Sequence, residues 1–421
     1  MTSTPSSPSS RRGSLGIGLA AAAIQAALVL LTTGAKVGTD DTDIYYRYAT
    51  RALRGEMPYR DFRVEYPPLA LPLFLAPAAA SRGLAGFKFA FAFEMLACNA
   101  AAVLLVAARV GRREGLARVP WRLAWYTVPF LILSRLLVTR HDAAPMLLGF
   151  GATLWWASGR GALGGFAASL GALVKVYPAV VAVLASARDL NRPGPGRLRG
   201  PVAFALTSIL GFAGWLSIGG VRGVSESLRY HLGRGFEYGS LYSGAQMLAA
   251  KVLGSEIIIS RDHASFSTIT PWSGPLLAPV FFVQVAALLV VRGVFARRGM
   301  GEVVRYSGAA VLAFIVAGKV FSPQYLIWLL PYIAVLEGPI APRGHRLFVA
   351  TCVATLLAPA ALNYLPRTSL WVILAYNARN LLIVWLLILL CSAPEPNGPT
   401  TGRRAAEPGP IGRAKVPPTG R

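Results

Sequence analysis

The chain has 421 residues, 54% hydrophobic and 14% charged, with a mean hydropathy of +0.52. That composition excludes a string of ordinary soluble domains and describes a polytopic membrane protein. A formal charge of +24 would suit nucleic acid on a soluble module, but no basic stripe with interleaved aromatics is present; Arg-rich short loops that orient membrane helices account for it.

In chain order, residues 1–14 are Pro/Ser-rich and are expected to be a disordered cytoplasmic N-terminus, as 393–421 is a disordered cytoplasmic tail. The apolar run 15–33 follows Arg11-Arg12 without a small-residue cleavage site and reads as a retained signal anchor. Further apolar segments fall at 84–108, 121–138, 143–158, 162–174, 176–187, 201–219, 272–292, 304–319, 323–337, 346–362 and 370–391. The apolar stretch 69–81 reads as juxtamembrane, because a full span there would move the Arg-rich 109–122 loop to the outside. The expectation is an all-α bundle of about 12 spans (11–13) over 15–392, with both termini cytoplasmic and long external loops at 34–83 and 220–271. The segments flanking Lys175 are short enough for a broken or re-entrant pair.

Under that topology the chemically interesting residues gather at one interface. The stretch Asp40–Pro68 holds six of the 18 acidic residues: Asp40, Asp41, Asp43, Glu56, Asp61 and Glu65. A carboxylate just beyond the first span could take a proton from a substrate hydroxyl; the same residues could equally be a solvated loop or a helix cap. Arg140-His141-Asp142 ends a span, as a snorkelling anchor or as a second acidic position beside the base. Lys175 and Lys319 each interrupt apolar sequence, which points either to a phosphate partner or to snorkelling. Arg229 to Tyr242 interleaves cations, aromatics and hydroxyls, a mixture suited to a sugar phosphate. Lys88, Glu94, Asn99, Arg135 and Arg379 lie within spans and read first as structural pairs; Lys88 and Glu94 do not share a helix face. Four histidines without i, i+4 spacing and three dispersed cysteines give no metal site or disulfide, and no cofactor is expected.

These residues carry a resemblance. Asp41-Thr42-Asp43-Ile44-Tyr45, Pro58-Tyr59, Asp61-Phe62 and Glu65-Tyr66-Pro67-Pro68 resemble the first external loop of bacterial polyprenol-phosphate-mannose-dependent mannosyltransferases, of the GT-C superfamily. Arg140-His141-Asp142, Lys175 with Tyr177-Pro178, Tyr230-His231 through Arg234 and Glu237 to Tyr242, and Lys319 with Ser322-Pro323-Gln324-Tyr325 and Trp328 follow in the same order. The resemblance implies a GT-C transmembrane fold and a polyprenyl-phosphate sugar donor, mannose in the family. It also implies an inverting transfer to a lipid or glycan acceptor on the outer face of the plasma membrane. It puts the general base at Asp41 with Asp43 behind it, and assigns the donor phosphate to Lys175, Tyr177, His231, Arg234, Lys319, Gln324 and Tyr325. Asp61, Glu65, Tyr66, Arg140, Asp142 and Glu237 support them. An arabinofuranosyl or glucosyl transferase with a related donor, or a lipid-linked-sugar transporter, are the alternatives.

Overall fold

The structure, a computed structural model, describes residues 8–33, 41–190, 194–262, 265–298, 302–361 and 364–392. About 80% of it is helical, consistent with an all-α membrane protein. Five helices are long and apolar enough to cross a membrane: Ser9–Thr32, Gly83–Arg113, Gly196–Gly233, Ser273–Arg297 and Leu370–Ser392. The expected tail at 393–421 and Asp40 lie outside the described residues.

The first helix, α1 (Pro8–Thr33), begins well before residue 15, so residues 8–14 are not the disordered segment that their composition suggested. The buried Ser14 packs against Gly111, where no side chain stands in the way, and this contact extends the helix. A short amphipathic helix, α2 (Asp41–Leu53), then occupies what reads in sequence as loop, with Asp41 and Asp43 in its first turn. Carboxylates in a first turn are favoured by the helix dipole. The next helix, α3 (Ala70–Ala79), has 10 residues, about 15 Å of rise and half a bilayer core, as its juxtamembrane reading requires.

α4 (Gly83–Arg113) and α5 (Val119–Thr139) follow and pack on each other. α6 (Ala143–Ala157), α7 (Gly161–Val174) and α8 (Pro178–Leu190) have 15, 14 and 13 residues, short of the roughly 20 that a straight span needs. α9 (Arg199–Gly233) continues through the region expected as loop from residue 220, broken only at Gly220, whose φ of 63° suits glycine.

Beyond it the second long loop folds on itself. β1 (Phe236–Glu237), α10 (Leu241–Leu253), β2 (Ile258–Asp262) and β3 (Ser265–Ile269) form a small antiparallel sheet, order β1-β3-β2, beside one helix. Tyr238 and Met247 seat this unit on Val372, Ile373 and Tyr376. α11 (Ser273–Leu277), α12 (Val280–Arg298) and α13 (Val303–Val316) follow. The 323–337 segment is a 3-10 turn, Pro323–Leu329, then α14 (Leu330–Ala334), rather than one straight helix. α15 (Ala341–Ala361) and α16 (Leu370–Ser392) complete the chain.

Inside the bundle, Asn99 donates to Gln25 at 2.8 Å and accepts from the Tyr126 hydroxyl at 2.8 Å, while Gln25 donates to Thr127 at 2.8 Å. With its partners in place this network ties α1, α4 and α5 together without stranding a polar group. The loop between α2 and α3 is anchored differently. Tyr59, at a φ of 68°, lies directly on α9: a Cβ on Gly223 would stand 2.1 Å from its carbonyl oxygen. Its hydroxyl donates to the Tyr66 carbonyl at 2.8 Å, and its ring meets Trp215 edge-on at 5.5 Å.

Candidate functional site

Three consecutive residues at the α5–α6 turn organise the site. The helix ends because Arg140 is extended, with φ −128° and ψ 147°. Extended backbone sends successive side chains in different directions. Arg140 forms an ion pair with Asp41 on α2. His141 places Nδ1 3.1 Å from the Tyr45 hydroxyl. Asp142 accepts through Oδ1 from Lys175 Nζ at 2.7 Å and from the Trp328 indole at 2.6 Å. One turn thereby joins α2, the α7–α8 break and the 3-10 segment.

Each of these contacts is held by aromatic packing. Tyr45 stacks on Phe74 at 4.3 Å, and the His141 ring meets Tyr66 edge-on at 4.8 Å and Phe74 at 5.6 Å. Burial pushes the His141 imidazole well below its ordinary range, with the charges of Lys175 and Arg140 adding, so the ring is neutral. Trp328 lies between Tyr177, stacked at 3.9 Å, and Tyr325, stacked at 4.1 Å. Lys175 Nζ stands 5.4 Å from the Tyr325 ring and 5.5 Å from Trp328, within cation–π reach. Burial lowers the Lys175 ammonium below the ordinary lysine value, opposed by Asp142.

The second candidate base, Asp43, pairs with Lys88 at 2.6 Å. Lys88 thus belongs to the acidic helix and not to its neighbour in sequence, Glu94. Lys175 also differs from expectation: it is no lone ammonium awaiting a phosphate but the buried partner of Asp142. Removing either partner would strand a buried charge at a cost of about 3–5 kcal/mol.

A second group of cations lies beside an apolar cavity. The cavity, about 620 Å³, is lined by Pro67, Leu173, Val176, Phe212, Trp215 and Leu216 among others, and His231 stands at its edge. His231 Nε2 lies 2.7 Å from the Glu65 carbonyl oxygen. Lys319 donates to the Leu232 carbonyl at 2.8 Å, and Arg234 to Ser265 at 2.9 Å. Arg234 acts electrostatically on Lys175, His231, Lys319 and Glu237, which makes it the charge at the centre of the group. Burial lowers the Lys319 ammonium, with Arg234 adding, and raises the Glu237 carboxyl against the pull of Arg234. Glu237 accepts from Ser322 at 2.8 Å, and its backbone amide donates to the Lys319 carbonyl at 2.9 Å.

The Glu65 carboxylate faces the phenols of Tyr66, Tyr230 and Tyr48 and makes no ion pair among the described residues. Asp61 lies elsewhere. It is exposed, accepts from the Met57 amide at 2.7 Å and pairs with Arg60 at 3.0 Å, so it closes a turn. Gln324 is half-buried in the 3-10 turn. Tyr177 is buried, with its hydroxyl near Gly149 of α6 and its ring stacked on Trp328.

Buried polar atoms without a hydrogen-bond partner include His141 Nε2, Asp142 Oδ2, the Tyr177 hydroxyl and Glu237 Oε2. Native interiors rarely strand such atoms, and others lie elsewhere in the bundle, among them Glu94 Oε2, Trp215 Nε1 and Ser307 Oγ. Lys88, Tyr45 and Trp328 are the residues that sequence reasoning left without a role at the site. For Lys88 the signal was present, an ammonium inside an apolar run; the identity of its partner was not. Among the described residues no group of three or more His, Cys, Asp or Glu could hold a metal ion. No family model matches the chain, and neither the curated proteins nor the solved structures give a match.

Proposed function

We propose that the chain is a membrane-embedded, inverting glycosyltransferase. It would move a sugar, mannose by the resemblance of its motifs, from a polyprenyl-phosphate donor to a lipid or glycan acceptor at the outer face of the plasma membrane. One juxtaposition carries the reading: an apolar cavity of about 620 Å³ with His231 at its edge and Arg234 and Lys319 beside it. A substrate with an apolar chain and an anionic head fits both halves of that arrangement. The Arg-rich short loops at the other end of the bundle support the sidedness.

In the reaction, Asp41 accepts the acceptor hydroxyl's proton as its oxygen forms a bond to the anomeric carbon. The bond from that carbon to the phosphate oxygen breaks, and its electron pair leaves with the lipid phosphate. Arg234, Lys319 and His231 stabilise that charge as it develops. The ion pair with Arg140 fixes the direction of the Asp41 carboxylate. Lys175 acts through Asp142, which holds the α5–α6 turn in place.

The transporter alternative draws on a specific observation, the short helices α7 and α8 that meet at Lys175. The two readings separate in proteoliposomes supplied with radiolabelled polyprenyl-phosphate-mannose and a membrane lipid extract. The transferase reading expects a labelled lipid or glycan product that Asp41→Asn abolishes. Donor carried across the bilayer without any product would overturn it in favour of transport.

A further inference from the structure

The opposite end of the bundle holds a second cavity that the transferase reading does not use. It has a volume of about 430 Å³ and is lined by Glu114, Arg118, Trp121, Arg122, Trp125 and His345, with the start of α15 closing one side. Trp125 stacks on His345 at 4.9 Å and meets Trp121 edge-on at 5.7 Å. Trp121 itself is 57% exposed.

The charges around it do not balance. Glu114 is taken by Arg122 at 2.7 Å, and Glu337 by Arg113 at 2.9 Å and Arg109 at 3.4 Å. Arg112, Arg118, Arg343 and Arg346 form no ion pair with an acid among the described residues. His345 is buried, with Nε2 2.9 Å from the Ile333 carbonyl oxygen, which fixes its ring as a wall of the cavity.

We propose that this cavity binds the headgroup of an anionic phospholipid, its phosphodiester held by Arg118 with the surrounding arginine surplus, its glycerol region against Trp121 and Trp125. Three features favour a lipid over a free anion. The cavity lies at the Arg-rich ends of bundle helices, where a leaflet of anionic lipid would meet it. Trp121 is exposed at its rim, and tryptophan favours the headgroup level of a bilayer. Leu116, 39% exposed beside Arg118, extends the apolar rim. This inference stands apart from the transferase reading, since none of these residues belongs to the candidate catalytic site.

The test uses the purified full-length protein, stripped of lipid in a neutral detergent and titrated with phosphatidylglycerol, phosphatidylcholine or inorganic phosphate while intrinsic tryptophan fluorescence is recorded. Phosphatidylglycerol is expected to bind at least tenfold more tightly than phosphatidylcholine. Arg118→Glu should remove that preference, and Arg118→Lys should restore most of it; Arg118 is exposed, and the thermal midpoint checks that each variant is folded. Trp121→Ala should weaken phosphatidylglycerol by severalfold. Equal binding of the two lipids, or an unchanged preference in folded Arg118→Glu, overturns the proposal. Saturation by millimolar inorganic phosphate with loss of lipid binding would make it a free-anion site and overturn it as well.

Discussion

The two ends of the bundle carry opposite styles of charge. At the α5–α6 turn, cations and acids are matched one to one: Asp41 with Arg140, Asp43 with Lys88, Asp142 with Lys175. At the other end, arginines outnumber acids, and most of the surplus is exposed. Matched pairs that are partly or wholly buried fix directions and exclude stray ions, as a reaction site requires. An unmatched, exposed surplus fixes nothing locally; in the topology proposed above it would set the orientation of the bundle.

The comparison can be broken most decisively at Asp41. Asp41→Asn should lower sugar transfer by about 10²–10⁴, the usual contribution of a general base, in protein that remains inserted; Asp43→Asn should cost tenfold or less. Undiminished transfer by Asp41→Asn with loss in Asp43→Asn would move the base to Asp43. Next in size is the buried pair. Asp142→Ala leaves Lys175 stranded and should cost about 3–5 kcal/mol in thermal unfolding. Arg346→Ala at the other end should stay within about 0.5 kcal/mol. Similar losses at both sites would erase the distinction between the ends.

A third measurement probes the cavity. Leu216→Trp would exclude roughly two or three methylenes of a bound chain, near 2 kcal/mol at about 0.8 kcal/mol each. It should raise KM for a long-chain donor about tenfold or more and leave kcat in place. A fall in kcat alone would mean that the cavity does not hold the donor chain. The smallest effect concerns pH. Burial lowers the Lys175 pKa below the ordinary 10.5, so its charge is lost sooner as pH rises. The alkaline limb of the rate should therefore fall below that value, and Lys175→Arg, which keeps its charge, should flatten the limb. An unshifted limb in that variant would detach Lys175 from the pH response.

Much of the membrane character and the polar outliers was legible, because a charge inside apolar sequence is expensive and therefore conspicuous. Lys88 and Lys175 stood out on that ground, and Arg140 and Asp142 as charges closing a span. What paired with what was not legible: Asp43 with Lys88, and Asp142 with Trp328, are joined by tertiary packing that no local period encodes. Secondary structure failed where local chemistry pointed two ways. The first turn of α2 carries Asp-Thr-Asp, equally at home in a loop, and its tyrosines bury only because Phe74 and His141 cover Tyr45. The loop expected from residue 220 is instead a continuing helix, on which Gly219 and Gly223 are contact surfaces for Tyr59.

Gly219 and Gly223 couple parts of the molecule that look separate. α9 lines the 620 Å³ cavity through Phe212, Trp215 and Leu216. A short way along, Gly219 receives the Tyr59 side chain and Gly223 its main chain. Main chain against main chain is the stiffest joint available, since no rotamer can yield. A chain lodged in the cavity that pushes α9 aside would therefore press on the 54–68 loop through this joint. Gly223→Ala, at about 1–3 kcal/mol for an overpacked contact, would loosen that joint, and protection of the Met57–Phe62 amides against hydrogen exchange would report it. The helix then serves as a lever between the greasy slot and the acidic loop, with Gly220 as its one bend.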